Sequence, residues 1–180
     1  AWSHMRPRER QNLLWRLADL IERDAQVIAE LECLNNGKSV QMARLVDVQL
    51  SIDSLRYMAG WATKVSGTTV DPSLPLMPDS QFHAFIRREA VGVVGAIVAW
   101  NFPFMLACWK LGPALATGCS LVLKPADETP LSALKLAELV LEAGYPTGVF
   151  NVVTGDGLNA GAALSNHPGV DKLPFTGSTE

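Results

Sequence analysis

The sequence lacks a charge excess of either sign, and it has few cysteines and no clustered histidines. Each lack closes off a class of function. Lys plus Arg number 15 and Asp plus Glu 18, a net charge of −3. With no basic surplus to neutralise phosphates, nucleic acid is not an expected partner. Cys33, Cys108 and Cys119 are odd in number and widely spaced, with no CxxC. That argues against a disulfide framework and a zinc site. They read as small core residues in a reducing, cytoplasmic compartment. His4, His83 and His167 show no ligand spacing, so no metal is expected. Gly (14) and Pro (11) are near average, which excludes collagen-like and low-complexity classes. Ala1–Met5 has no signal-peptide architecture and does not read as a natural start. Thr176–Glu180 reads as a turn opening towards something further, so the chain is expected to be a segment of a longer protein.

The longest stretch without formal charge, Ala90 to Trp109, is long enough to cross a bilayer. It opens β-branched and Gly-rich, however, and breaks at Asn101-Phe102-Pro103. There Pro removes a donor and pushes its predecessor out of the helical region. A buried strand followed by a helix is the better reading, and no membrane span is expected.

What is present suits a globular fold. Of 180 residues, 48% are apolar and 18% charged, and mean hydropathy is +0.16. That is enough to build a real core and argues against disorder. Residues 1–56 carry eight basic and eight acidic groups and read as amphipathic helices. Leu13, Leu14, Leu17, Leu20 and Ile21 recur at three- and four-residue spacing after Pro7, a good first-turn residue. Val27, Ile28, Leu31 and Leu34 form a second stripe, stopped by Asn35-Asn36-Gly37. A third helix is predicted from about Ser39 to Thr63, with Met42, Leu45, Val46, Ile52 and Leu55 inward. The charges on these helices are expected on solvated faces. Pro72, Pro75 and Pro78 mark an extended loop, and Phe82–Arg88 reads as a strand.

From Val91 strand and helix alternate. The predicted order is strand Val93–Val98, helix Pro103–Thr117 ending at Gly118, strand Ser120–Leu123 and helix Pro130–Glu142 ending at Gly144. Strand Val149–Val153, helix Leu158–Ser165 and strand Val170–Phe175 follow. Continuous apolar strands covered on both faces indicate an α/β fold with a doubly wound, mostly parallel, Rossmann-like sheet, preceded by the helical segment. The predicted organisation is helices and Pro-rich loop over 1–80, a strand over 81–90 and the α/β unit over 91–180. Ligands of such sheets bind at the carboxyl ends of the strands.

Four groups of residues lie at those ends. Gly155-Asp156-Gly157-Leu158-Asn159-Ala160 fits G-x-G-x-x-A, but it follows the third strand and no acidic residue follows at the required distance. A Gly-rich left-handed turn suits it better than a pyrophosphate loop. Lys124-Pro125-Ala126-Asp127 places a cation and a carboxylate where a ribose diol could sit, or else forms a local ion pair. Asn101, after Trp100, is either a donor to a developing oxyanion or a helix N-cap. Thr176-Gly177-Ser178-Thr179-Glu180 is either an anion site at a helix opening or a capping box.

Long motifs in a fixed order resemble the aldehyde dehydrogenase family. They are LECLNNGKS (31–39), YMAGWATKVSG (57–67), REAVGVVGAIVAWNFPF (88–104), WKLGPALATGCSLVLKPADETPL (109–131), GVFNVVTGDG (148–157) and DKLPFTGSTE (171–180). The wording is most similar to the phenylacetaldehyde dehydrogenase branch. The resemblance implies oxidation of an aldehyde, here an aromatic one, to the acid with NAD. The alternative is a non-catalytic relative that keeps the scaffold for cofactor binding or structure. It implies that Lys124 and Asp127 hold the adenosine ribose, and that Ser178 and Trp100 take the pyrophosphate. Phe175 and Gly177 would line the adenine side and Gly157 would allow close approach. Ile97, Val98, Pro125, Ala126 and Thr176 would complete the cofactor site. Asn101 would donate to the thiohemiacetal oxyanion, and Phe102, Leu106 and Trp109 would line the aldehyde tunnel. Residues 82–88 would belong to an oligomerisation arm of a homodimer or homotetramer. The family has Glu where this chain has Asp127, so ribose contacts are looser or shared with Glu128. By the same resemblance, the nucleophilic cysteine and the general-base glutamate lie outside these 180 residues. Cys108 and Cys119 occupy core positions, and the segment alone is expected to be inactive.

Overall fold

The computed structural model describes residues 2–77 and 79–178. Helix α1, Pro7–Arg23, begins where Pro7 fits the first turn, and the Glu9 carboxylate accepts the Arg6 N–H at 3.0 Å. It buries Leu14, Leu17 and Ile21. Helix α2, Ala25–Asn36, stops at Gly37, whose φ of 83° is the left-handed cap its sequence requires. Helix α3, Val40–Met42, runs through a π-helical segment, Ala43–Val48, into α4, Gln49–Trp61.

The core differs here from the sequence reading. Val27 and Leu34 of α2 and Met42 and Leu45 of the third helix lie exposed, not inward. The widened π turn shifts the helical register, so Ala43, Asp47 and Val48 face the interior instead. Two charges expected at the surface, Glu32 and Asp47, are completely buried. Trp2 is also part of the core: its indole N–H donates to the Cys119 carbonyl at 2.9 Å and its ring packs 5.5 Å from that of Tyr145.

Strands β1, Thr68–Val70, and β2, Ala84–Ile86, form an exposed antiparallel ribbon. It takes one strand from the stretch predicted to be helices and loop. Strands β3 (Val93–Ile97), β4 (Ser120–Lys124) and β5 (Phe150–Val152) form a parallel sheet in that order. Helix α5, Pro103–Thr117, connects β3 to β4, and α6, Leu131–Glu142, connects β4 to β5. Both pack with α1 and α2, and α5 also packs with α4. The apolar run Ala90–Trp109 is thus a strand and the start of a helix. Among the described residues no helix is long and apolar enough to cross a membrane.

After β5, a π turn, Gly157–Gly161, and helix α7, Ala162–Asn166, carry the chain back across the sheet. The predicted last strand is not a regular one. Residues 171–176 lie parallel to β3 through two isolated bridges, Val94 with Lys172 and Ile97 with Phe175. Gly95 N–H donates to Lys172 and Ile97 N–H to Pro174, while Thr176 N–H donates to Ile97. Regular pairing would have residue 174 donate back to Gly95, and Pro174 has no N–H to give.

The chain thus adds β4 and β5 on one side of β3 and residues 171–176 on the other. Right-handed crossovers in opposite directions put α5 and α6 on one face and α7 on the other. Consistent with this, a Cβ at Gly95 would lie 3.1 Å from Leu164 of α7.

Candidate functional site

The reversal of strand order occurs between β3 and residues 171–176. That is the topological switch point where open α/β sheets hold ligands. The register pairs Ile97 with Lys124 on one side and with Phe175 on the other. Three neighbouring chain segments therefore end level, and their loops (98–102, 125–129 and 176–178) leave from one edge.

On β4, Lys124 is 4% exposed. Its ammonium lies 3.8 Å from a carboxylate oxygen of Asp127, whose side chain is 52% exposed. A donor cation anchored in the sheet thus stands beside an acceptor open to solvent. Pro125 and Ala126 between them are buried. Thr129 N–H donates to the Ala126 carbonyl at 3.1 Å and closes the turn. Glu128, the residue suggested to share the ribose, is exposed as well.

On β3, Ile97 is half-buried, Val98 is buried, and the Trp100 ring is exposed. Asn101 does not occupy the N-cap position that one of its two readings gave it. The N-cap of α5 is Phe102, and no side chain caps that helix. Asn101 is exposed, so its amide is not spent on the helix end. Phe102, Leu106 and Trp109 recur at four- and three-residue spacing and share a face of α5. Of these Leu106 is buried and Trp109 half exposed.

On the third segment, Phe175, Gly177 and Ser178 are exposed and Thr176 is half-buried. A Cβ at Gly177 would fall 2.6 Å from the Phe175 ring. The predicted helix opening runs into Thr179 and Glu180, which lie outside the described residues. In the Gly155 loop, Gly155 has φ 143°, in the positive-φ range that favours glycine. Asp156 accepts the Asn159 N–H at 2.6 Å and its side-chain amide at 2.8 Å. Those bonds, the backbone one foremost, hold the Asp156 carboxyl below the usual range. A Cβ at Gly157 would have nothing within 4 Å, so that edge of the loop is open.

Behind these loops stand residues the sequence reading took only as a helix stop or as surface charge. The Asn35 side chain donates to the Glu128 carbonyl at 2.7 Å and accepts the Leu131 N–H at 2.8 Å, capping α6 from another element. Asn36 donates to the Trp100 carbonyl. The Lys38 ammonium donates to the Asn101 carbonyl at 2.9 Å and to Asp47 at 2.6 Å, and lies 4.3 Å from the Phe102 ring centroid. A signal for Asp47 existed: Asp47, Ser51 and Leu55 follow at four-residue steps, one helical face. Asn35, Asn36, Trp100, Glu128 and Thr129 line a small cleft of about 230 Å³ between these loops.

Cys108 offers no nucleophile. All three cysteines are free thiols. Burial pushes the Cys108 thiol up to about 12, which keeps it protonated and unreactive. Among the described residues no group of His, Cys, Asp and Glu side chains could hold a metal ion.

Comparison with known proteins gives the family. The sequence model of the aldehyde dehydrogenase family matches residues 1–180. The chain is 56% identical over 180 residues to phenylacetaldehyde dehydrogenase of Pseudomonas fluorescens, covering 100% of this chain and 36% of that protein. It is 51% identical over 179 residues to the mitochondrial aldehyde dehydrogenase of Homo sapiens, covering 99% of this chain and 34% of that one. Among solved structures, the NAD+ complex of an aldehyde dehydrogenase from Bacillus cereus aligns with a TM-score of 0.92 at 48% identity, over 99% of this chain and 35% of that chain. The chain thus spans about a third of the length of these relatives. With its parallel sheet, its switch point and its full-length sequence match, the chain belongs to the aldehyde dehydrogenase family.

Proposed function

We propose that this chain is the part of an NAD-dependent aldehyde dehydrogenase that binds the cofactor and supplies an oxyanion donor. The observation that carries the reading is the level ending of β3, β4 and residues 171–176 at a switch point. That brings Lys124, Asp127, Asn101 and Ser178 to one edge of the sheet.

The residues there fit NAD. The Lys124 ammonium and the Asp127 carboxylate, 3.8 Å apart, suit the two neighbouring hydroxyls of a ribose as donor and acceptor. Ser178 and Trp100 take the pyrophosphate. Phe175 and Gly177 flank the adenine, and open space beside Gly157 admits the cofactor backbone. Ile97, Val98, Pro125, Ala126 and Thr176 form the wall on which these groups stand. NAD, when bound, accepts the hydride that leaves the aldehyde carbon.

Asn101 donates its amide N–H to the carbonyl oxygen as that oxygen gains charge under thiolate attack. Phe102, Leu106 and Trp109 give the aldehyde an apolar approach. The 56% identity to a phenylacetaldehyde dehydrogenase favours an aromatic aldehyde. The thiolate and the base that activates water come from outside these residues, in keeping with a Cys108 held protonated and a Cys119 buried in the core. Residues 1–180 alone are therefore inactive. The β1–β2 ribbon, with Phe85 68% exposed and Ile86 beside it, is the arm through which copies associate as a dimer or tetramer. Three free thiols suit a reducing, cytoplasmic setting.

The test is NADH formation by the full-length protein across a panel of aliphatic and aromatic aldehydes. Turnover should require both NAD and aldehyde, with kcat/KM highest for aromatic members. Absence of NADH with every aldehyde would overturn the enzymatic reading.

A further inference from the structure

The loop that carries Asn101 is held from behind by groups to which the proposed chemistry gives no part. Gly37, at φ 83°, turns the chain so that Asn36 and Lys38 reach successive carbonyls, those of Trp100 and Asn101. The Lys38 ammonium is anchored in turn by Asp47 at 2.6 Å, a carboxylate with no exposed side-chain surface. Asp47 lies in the π-helical segment Ala43–Val48, whose altered register brings it inward, and π segments recur at functional sites. The Phe102 ring, 4.3 Å away, closes a third side of the ammonium. A surface lysine has wide rotamer freedom, but this one is 13% exposed and fixed by three partners.

We propose that Lys38, anchored by Asp47, is a positioning residue for Asn101. The inference rests on the reading of Asn101 as an oxyanion donor. An oxyanion donor must stand within about 0.5 Å of its productive place, and a displacement of about 1 Å can cost on the order of 10²-fold in rate. Asn101 does not cap α5 and is exposed, so its side chain gains little fixity from the helix it precedes. Its backbone does: the charge-assisted bond from Lys38 pins the carbonyl. That limits rotation of the peptide on which the Asn101 Cα–Cβ bond is built. Bonding Trp100 and Asn101 through the two side chains that flank Gly37 fixes the loop at two points rather than one.

The test uses the full-length enzyme. Removing one charge alone would leave the other buried and unpaired, so the main variant is Lys38→Met with Asp47→Leu, which removes both at similar bulk. kcat is expected to fall about tenfold or more, with KM for NAD and for aldehyde within about twofold. On an Asn101→Ala background the same pair should change kcat little, because the group it positions is gone. Asp47→Asn, near-isosteric, serves if the double variant fails to fold. It should give a smaller fall, about threefold, that also vanishes on Asn101→Ala. A kcat that is unchanged in these variants overturns the proposal. So does a fall that persists in full on Asn101→Ala, which marks a merely structural role. Wild-type kcat in Asn101→Ala alone overturns the oxyanion reading and the positioning role with it. Lowered kcat there beside unchanged kcat in the charge-free variant overturns the positioning role only.

Discussion

Glu32 provides a direct test of the physical account of this core. Its carboxyl has no exposed surface and lies among Ser132, Asp47 and Lys38. Burial is the largest influence, and it pushes the group up from 4.5 to about 7, with the Asp47 charge acting in the same direction. The protonated form can donate to the Asp47 oxygen that has no other partner, so one proton serves two buried carboxyls. Because the folded value lies above the unfolded one, the folded state binds this proton more tightly. Its stabilising effect is complete below about pH 4.5, falls as pH rises, and is lost above about pH 7. At about 1.4 kcal/mol per unit, the span is on the order of 3 kcal/mol. Glu32→Gln keeps the shape and the donor but never ionises. Hydrogen exchange of the α2 amides in the full-length protein, compared between variant and wild type at each pH, cancels the intrinsic exchange rates. Protection should match near pH 4.5 and be up to about 100-fold greater in Glu32→Gln near pH 8.5, since each factor of ten is about 1.4 kcal/mol. A ratio that stays constant across this range would refute the reasoning, because Glu32 would then keep one charge state throughout.

Four further outcomes are expected of the full-length protein. Asn101→Ala should lower kcat by about 10²–10³ with little change in NAD affinity, and steady-state kinetics with isothermal titration of NAD would check both parts. Asp127→Ser should raise kcat/KM for NADP relative to NAD by about tenfold or more, roughly 1.4 kcal/mol, because a 2′-phosphate would no longer face the exposed carboxylate. An unchanged ratio would remove Asp127 from ribose recognition, and Lys124→Ala should weaken both cofactors. Gly92→Ala should destabilise by about 1–3 kcal/mol. Gly92 has φ 122°, and an added Cβ would fall 2.1 Å from the Asp171 oxygen that accepts the Val93 N–H at 2.8 Å. A thermal melt that moves less than about 2 °C, small beside the shift such a loss brings, would show that residues 171–176 do not depend on this contact.

Which parts of the molecule were legible depends on how local the governing forces are. Pro103 to Thr117 reads correctly to the residue, because Pro at its start and Gly118 at φ 90° after its end are local chemistry. The parallel strands read correctly because an apolar run bounded by turns needs no partner to be recognised. The last strand fails at Pro174, where a missing donor matters only opposite Gly95, a residue far away in sequence. The third helix forms as predicted and buries Ile52 and Leu55, but the inward face of its first turns is misread for a similar reason. Apolar spacing favours Met42 and Leu45 as inward residues, yet the chain turns Asp47 inward through a π segment because Lys38 and the loop at Asn101 stand there to receive it. Burying a carboxylate is costly unless it is paired, so sequence periodicity rightly disfavours it. It becomes tolerable only once an ammonium from beyond the end of another helix is within 2.6 Å. The positions at the strand ends could be read from sequence, whereas the contacts made by the residues behind them could not. Lys124, Asp127 and Asn101 lie where any open α/β sheet presents ligand groups. Asn35, Asn36, Lys38 and Asp47 act on carbonyls and on each other across the fold, and a carbonyl has no residue-type signature in sequence. A departure from hydrophobic periodicity at Glu32 or Asp47 is therefore information in its own right. At Asp47 it marks where the helical layer gives up apolar packing to anchor the lysine that bonds the loop at Asn101.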